Sequence, residues 1–336
     1  MSEPSPTSKR RGRLLRIGAA LVVLLALAGY LTVQYLTGGT GGPGCEVVSG
    51  KGDGASYEFT PEQAVNAATI AAVGTGRNMP ERAVTIALAT ALQESGLRNI
   101  RHGDRDSLGL FQQRPSQGWG TPKEIMDPAY AAGKFYEHLA KVPGYTRLPL
   151  TVAAQRVQRS GFPQAYAKHE PDAVLLSAAL TGRSAATLTC KGRPGATRTT
   201  GPDAVRAALV RDFGRDVVQE AGAEVRDDGS SATPTPSGTT PASASSAAAS
   251  GSGGRTVTVP VRPGSGGAAG RGARERGWQL AHWAVANASA LHIERVAYAG
   301  REWSAGITDS RWHTTDAEGA GGAERDSGSV RITTER

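Results

Sequence analysis

Twenty consecutive residues, Ile17 to Leu36, carry no charge and are mostly Leu, Val and Ala. Coiled into a helix rising about 1.5 Å per residue, such a run spans about 30 Å, the depth of one hydrocarbon core. Lys9, Arg10, Arg11, Arg13 and Arg16 precede it against a single acid, Glu3, a bias that keeps the N-terminus in the cytoplasm. The chain is therefore expected to be a single-pass membrane protein whose bulk, after Thr37, is extracytoplasmic. Ala26-Leu27-Ala28 also reads as a signal-peptidase site behind a shorter apolar core. The apolar run continues through Leu31, Val33 and Leu36, however, past the point where a cleaved signal stops, so an uncleaved anchor is the expectation.

The compartment decides how the two cysteines are read. Outside the cytoplasm, Cys45 and Cys190 bracket one block of sequence and are expected to form a disulfide; the alternative is two free thiols. Closing so long a loop would stabilise the fold by about 5 kcal/mol in the chain-entropy model. The net charge of +8 raises nucleic acid as a partner, but no basic stripe interleaved with aromatics is present, so none is expected. An anionic cell envelope suits the charge better. The six histidines, among them His102, His138 and His169, show no ligand spacing, and neither a metal nor a cofactor is expected.

Composition divides the chain into segments. Residues 1–16 form a basic tail, 17–36 the anchor and 37–44 a Gly-rich tether. Residues 45–225 form the first folded block. Residues 226–273 are dominated by Ser, Thr, Ala, Pro and Gly, cannot bury a core, and read as a disordered linker, with a strand conceivable at 256–261. Residues 274–336 hold four of the five tryptophans. There an apolar-periodic helix from Trp278 to Ala288 is followed by strand-like Ile293–Tyr298, a turn at Gly300, Glu302-Trp303 and Val330–Ile332, a small α/β domain. It loosely resembles a domain found beside cell-wall enzymes in actinobacteria, and an envelope protein or the wall is its expected partner.

Helix signals fill the first block. Thr60-Pro61-Glu62-Gln63 and Thr121-Pro122-Lys123-Glu124 are capping boxes with Pro at the first helical position. Pro80 opens a helix whose apolar residues keep a three-to-four spacing, and Gly96 stops it. Asp127-Pro128 starts another through Tyr136 and Leu139. Residues 98–120 have no helical period and read as a loop or hairpin.

Glu94 sits in the last turn before Gly96. The helix C-terminus carries partial negative charge and disfavours a carboxylate, which raises its pKa. A part-buried Glu there stays protonated near neutral pH, the state required of a general acid. Taken alone, a Glu at a helix end is more often simply solvated. Thirteen residues later comes Ser107-Leu108-Gly109-Leu110-Phe111-Gln112. The pairing of Gln93-Glu94-Ser95 with this segment closely resembles the soluble lytic transglycosylase family, of goose-type lysozyme fold. Asp127-Pro128 through Tyr136 looks like that family's next helix. The resemblance runs over roughly residues 60–180 and is nearer to an actinobacterial branch of lysozyme-like proteins.

The resemblance implies that Glu94 is the catalytic acid and base, that Ser107 and Gln112 line the cleft, and that the substrate is the glycan strand of peptidoglycan. The family's Ala-Tyr-Asn-Ala-Gly has no counterpart in Ala153 to Gly161. Gln155, Gln158 and Ser160 stand there instead as hydrogen-bonding side chains, and the usual Tyr is missing. Trp119 and Tyr130 are candidates for stacking on sugar faces, or for filling the core. A lytic transglycosylase needs one Glu, whereas a hydrolase usually needs a second carboxylate, for which Asp104 and Asp106 are available if they are not merely turn residues. The overall expectation is a mainly α fold: a lysozyme-like domain behind a transmembrane helix, with a small α/β domain beyond the linker. It is expected to cut peptidoglycan, with a non-catalytic glycan-binding module or an envelope-machine scaffold as alternatives.

Overall fold

A computed structural model describes residues 43–159, 164–191, 201–215, 217, 255–261, 272–306, 310–315 and 328–335, with Leu24 and Gly29. The chain divides into two units, Met1–Gly42 and Pro43–Arg336. Apart from Leu24 and Gly29, the segment 17–36 lies outside the described residues, as do 1–16 and most of 226–273.

The second unit opens with strand β1 (Gly44–Val48), flanked antiparallel by β2 (Ser56–Phe59) and β3 (Leu188–Lys191) in the order β2-β1-β3. Cys45 and Val47 are buried on one face of β1, while Val48 at its end is exposed, the period-two pattern of a half-buried strand. Cys45 lies directly across from Cys190, and the two are joined by a disulfide. Replacing both cysteines by Ser should lower stability by up to about 5 kcal/mol in the chain-entropy model, read as a fall in the midpoint of urea unfolding. An unchanged midpoint would mean that the covalent link constrains nothing the sheet does not already hold.

The helices follow their sequence signals. Helix α1 (Pro61–Gly76) begins at a complete capping box, in which Thr60 accepts from the Gln63 backbone and Gln63 accepts from the Thr60 backbone. Helix α2 (Glu81–Ser95) ends at Gly96, whose φ of 61° is left-handed and suits a residue without Cβ. A second capping box at Thr121 starts the short α3 (Pro122–Ile125), and the Asp127 carboxylate caps α4 (Pro128–Ala140). Helices α5 (Leu150–Gln158), α6 (Glu170–Leu180) and α7 (Pro202–Phe213) complete the first block. Small residues bury α1 nearly all round, so α2, α4, α6 and α7 close on it. At Gly74 the approach is close: a Cβ would lie 2.6 Å from the Tyr136 hydroxyl, which donates to the Ile70 carbonyl at 3.0 Å.

The C-terminal block supplies α8 (Ala273–Ala286), the short α9 (Ala288–Leu291) and a five-stranded antiparallel sheet. Its strands are β4 (Thr256–Pro260), β5 (Ile293–Tyr298), β6 (Arg301–Ser304), β7 (His313–Thr314) and β8 (Ser329–Thr334), in the order β4-β8-β5-β6-β7. This block shares one continuous core with the first. The Trp283 indole donates to the buried Asp212 carboxylate at 2.8 Å; Asp212 also accepts from Thr69 and, bidentately, from Arg211. Gln279 donates to Thr75 on α1, and the Trp312 indole to the Leu188 carbonyl on β3.

His282 joins three elements. Its Nε2 accepts from the Thr187 backbone N–H, so the proton sits on Nδ1 and is donated to the Ala179 carbonyl at 2.8 Å. Full burial holds the imidazole neutral and pushes its pKa down to about 4. At Gly277 a Cβ would fall 1.9 Å from the Tyr298 ring, so only Gly lets α8 lie on that tyrosine.

The expectation of a mainly α fold is not met, and the expected transmembrane helix, apart from Leu24 and Gly29, falls outside the described residues. The described residues form two antiparallel sheets, of three and five strands, and no helix among them is long and apolar enough to cross a membrane. The sheets arise from short strands far apart in sequence, such as β1 with β3 and β4 with β8, whose pairing no local period announces.

Candidate active site around Glu94

Glu94 lies in the last turn of α2, where the chain reverses at Gly96 and leads into the 98–120 loop. The tip of that loop is a tight hairpin in which Leu108 and Gln113 exchange both backbone hydrogen bonds. Two successive carbonyls of the hairpin are tied to the helices beside it. Leu110 accepts from the Ser95 hydroxyl at 2.8 Å, and Phe111 accepts from the Gln158 amide at 2.7 Å. The Phe111 ring is buried and stacks on Phe135 of α4 at 4.7 Å. The family-like segment is thus a clamp linking the end of α2 to the end of α5.

The Glu94 carboxylate accepts from the Tyr166 hydroxyl at 2.7 Å and from the Gln158 side chain. Partial burial raises its pKa above the ordinary 4.5; the Tyr166 and Gln158 hydrogen bonds, which favour the charged form, oppose this without cancelling it. Its neighbour Gln93 lies 3.2 Å from the His169 Nε2, so the segment 166–169 grips α2 at two adjacent residues.

Of the residues picked out in the sequence, Gln158 is brought directly onto Glu94. Gln155 lies one turn earlier on the same helix, and Ser160 lies outside the described residues. Ser107 is buried at the base of the hairpin, its backbone N–H on the Asp104 carbonyl. Gln112 has a left-handed φ of 47° and turns its amide back to the Gly109 carbonyl at 3.1 Å. Trp119 stacks on His138 at 4.2 Å. Tyr130 lies against Gly120, where a Cβ would come within 2.6 Å of its hydroxyl, with the Lys134 ammonium 5.6 Å from its ring centroid.

Tyr166 is the residue that sequence reasoning missed. It is fully buried and donates its hydroxyl to the Glu94 carboxylate. Its signal was Ala165-Tyr166, a few residues beyond the Ala153–Gly161 stretch. Tyr166→Phe should raise the Glu94 pKa further, because the variant loses a hydrogen bond to the carboxylate form while burial persists. A carbon-13 NMR titration of the carboxyl reads this directly. A fall or no change would mean that the tyrosine does not hold the charged form.

The two loop aspartates are engaged elsewhere. Asp106 accepts from the Arg114 guanidinium at 2.7 Å and the Ser116 backbone N–H at 2.9 Å, contacts that hold its pKa far below the usual carboxylate range. The Asp104 side chain is 94% exposed. Among the described residues no group of three or more His, Cys, Asp or Glu side chains is placed to hold a metal ion.

No curated protein matches the chain. The match to a family model falls outside the Glu94 site: residues 216–326, about a third of the chain, covering α8, α9 and strands β4 to β7, are similar to the family described as VldE, C-terminal domain.

Proposed function

We propose that the chain is an extracytoplasmic peptidoglycan-cleaving enzyme, a lytic transglycosylase of lysozyme-like type, in which Glu94 alone serves as acid and then base. The observation that carries this reading is the Glu94 carboxyl itself. It is half-buried at a helix C-terminus, its pKa is raised by that burial, and a buried tyrosine and a glutamine orient it. In the first step its proton passes to the glycosidic oxygen as the C1–O bond breaks. In the second, the carboxylate takes the proton of the muramic acid 6-hydroxyl as O6 closes on C1. No water is consumed, and Glu94 ends as it began.

The engagement of Asp106 by Arg114, and the solvent exposure of Asp104, favour this one-carboxylate scheme over hydrolysis. The disulfide supports an oxidising compartment, which suits action on the wall. The test is a digest of purified peptidoglycan by the full chain, with products read by mass spectrometry. Muropeptides ending in 1,6-anhydromuramic acid are expected. Reducing-end products would make the enzyme a hydrolase and reopen the search for its second carboxylate, and bound but uncut glycan would leave a binding module.

A further inference from the structure

Two side chains from one short turn meet two adjacent residues of α2. Ala167–His169 form a single 3-10 turn that leads straight into α6, with His169 as the residue that precedes that helix. The His169 backbone N–H donates to the Tyr166 carbonyl at 3.1 Å, so Tyr166 and His169 stand at the two ends of one hydrogen-bonded turn. From one end the Tyr166 hydroxyl donates to Glu94 Oε1 at 2.7 Å; from the other, His169 Nε2 lies 3.2 Å from Gln93 Oε1. An amide oxygen only accepts, so the imidazole carries a proton on Nε2 and donates it. The neutral Nε2–H tautomer and the imidazolium both keep that donor, so the tie does not depend on the charge of the ring. The contacts close a ring: Glu94 to Tyr166, Tyr166 to His169 through the turn, His169 to Gln93, and Gln93 back to Glu94 through one peptide bond.

We infer that His169 is a positioning residue for the Glu94 carboxyl: by holding Gln93 it fixes the turn from which Tyr166 reaches Glu94. The inference rests on the reading of Glu94 as the acid that cleaves glycan. A tyrosine hydroxyl stands far from its own backbone, so a small tilt of the turn displaces it by much more, and hydrogen bonds weaken steeply once distance and angle depart from the optimum. The His169–Gln93 contact sets that tilt against the same helix that carries the carboxyl. Helix α6 has other ties to α2: Glu170 accepts from Arg82 at 2.7 Å, and the buried Thr85 and Ser177 hydroxyls meet at 2.9 Å. Loss of the imidazole therefore loosens the aim of Tyr166 without detaching the helix that follows it.

The test joins a carbon-13 NMR titration of the Glu94 carboxyl to cleavage kinetics on solubilised peptidoglycan strands, in the full chain. His169→Ala should raise the Glu94 pKa in the same direction as Tyr166→Phe, because the carboxylate form loses the same hydrogen bond. Combined with Tyr166→Phe it should add nothing, since the two changes remove one interaction. His169→Gln, whose amide nitrogen can stand where Nε2 stood, should restore the wild-type value. In cleavage, His169→Ala should lower kcat about 10- to 100-fold, the scale of a misplaced catalytic group, with KM unchanged. Each variant should melt as the wild type does. A Glu94 pKa that ignores His169→Ala, a shift that adds to that of Tyr166→Phe, or a His169→Gln chain that behaves like the alanine variant would each overturn the positioning role and leave the peptidoglycan reading intact. A pKa that responds as expected in a chain that cuts no glycan would uphold the ring of contacts and sink the reading of Glu94 as the acid.

Discussion

Glu94→Gln is expected to lower the rate of glycan cleavage by about 10²- to 10⁴-fold, the span typical of losing a positioned acid–base group, with little loss of affinity for the wall. The substitution keeps the shape of the side chain and an oxygen to accept from the Tyr166 hydroxyl, but it removes the transferable proton. The same change should alter stability with a defined pH dependence. Burial raises the folded-state pKa of Glu94 above 4.5, so the folded protein resists ionising it. Below the unfolded pKa both states hold the proton, and that cost is absent. As pH rises through the folded pKa the wild type loses stability that the Gln variant keeps. Unfolding by urea at pH 4 and at pH 8 should therefore show the variant gaining on the wild type at the higher pH. A variant that cuts at near wild-type rate, or one whose relative stability falls as pH rises, would remove Glu94 from the acid's role.

A chain ending at residue 225 is expected not to fold cooperatively, although the low-complexity stretch beyond it looks like a natural place to cut. Removing α8 strips Trp283 from Asp212, Gln279 from Thr75, and His282 from both Ala179 and Thr187. Removing Trp312 frees the Leu188 carbonyl. Removing α8 also uncovers the apolar surface that Trp278, Leu280 and Trp283 bury in the core shared by the two blocks, while native domains are stable by only roughly 5–15 kcal/mol. Circular dichroism of residues 43–225 should show a broad, weak transition and limited proteolysis should find no protected core. A sharp melt would show instead that the first block holds a sufficient core of its own.

The sequence was most legible where structure is local. The capping boxes at Thr60 and Thr121, the Asp127 cap and the Gly96 stop each rest on residues within one turn of the feature they signal, and each forms. Glu94 could be singled out for the same reason, since its place in the last helical turn is readable from Gly96. What stayed hidden depends on distant partners. Strand β1 is five residues next to a Gly-rich run, and its alternating burial means little without β2 and β3. Tyr166 is 72 residues from the carboxylate it holds. In α8, the tryptophans announce burial without saying against what; Asp212 answers that for Trp283 through an indole N–H that no periodicity encodes.

The disulfide between β1 and β3 also has a mechanical meaning. A pull on the chain from its N-terminal side enters the second unit at Pro43 and reaches Cys45 almost at once. There the tension crosses the sulfur–sulfur bond to Cys190 and continues toward the C-terminus. The covalent loop between the two cysteines is a slack branch that bears no load along its backbone. Glu94, the 107–113 hairpin, Gln158 and Tyr166 all lie within it. Tension applied across the second unit therefore leaves unloaded the backbone that carries both the Glu94 carboxylate and the tyrosine that aims it.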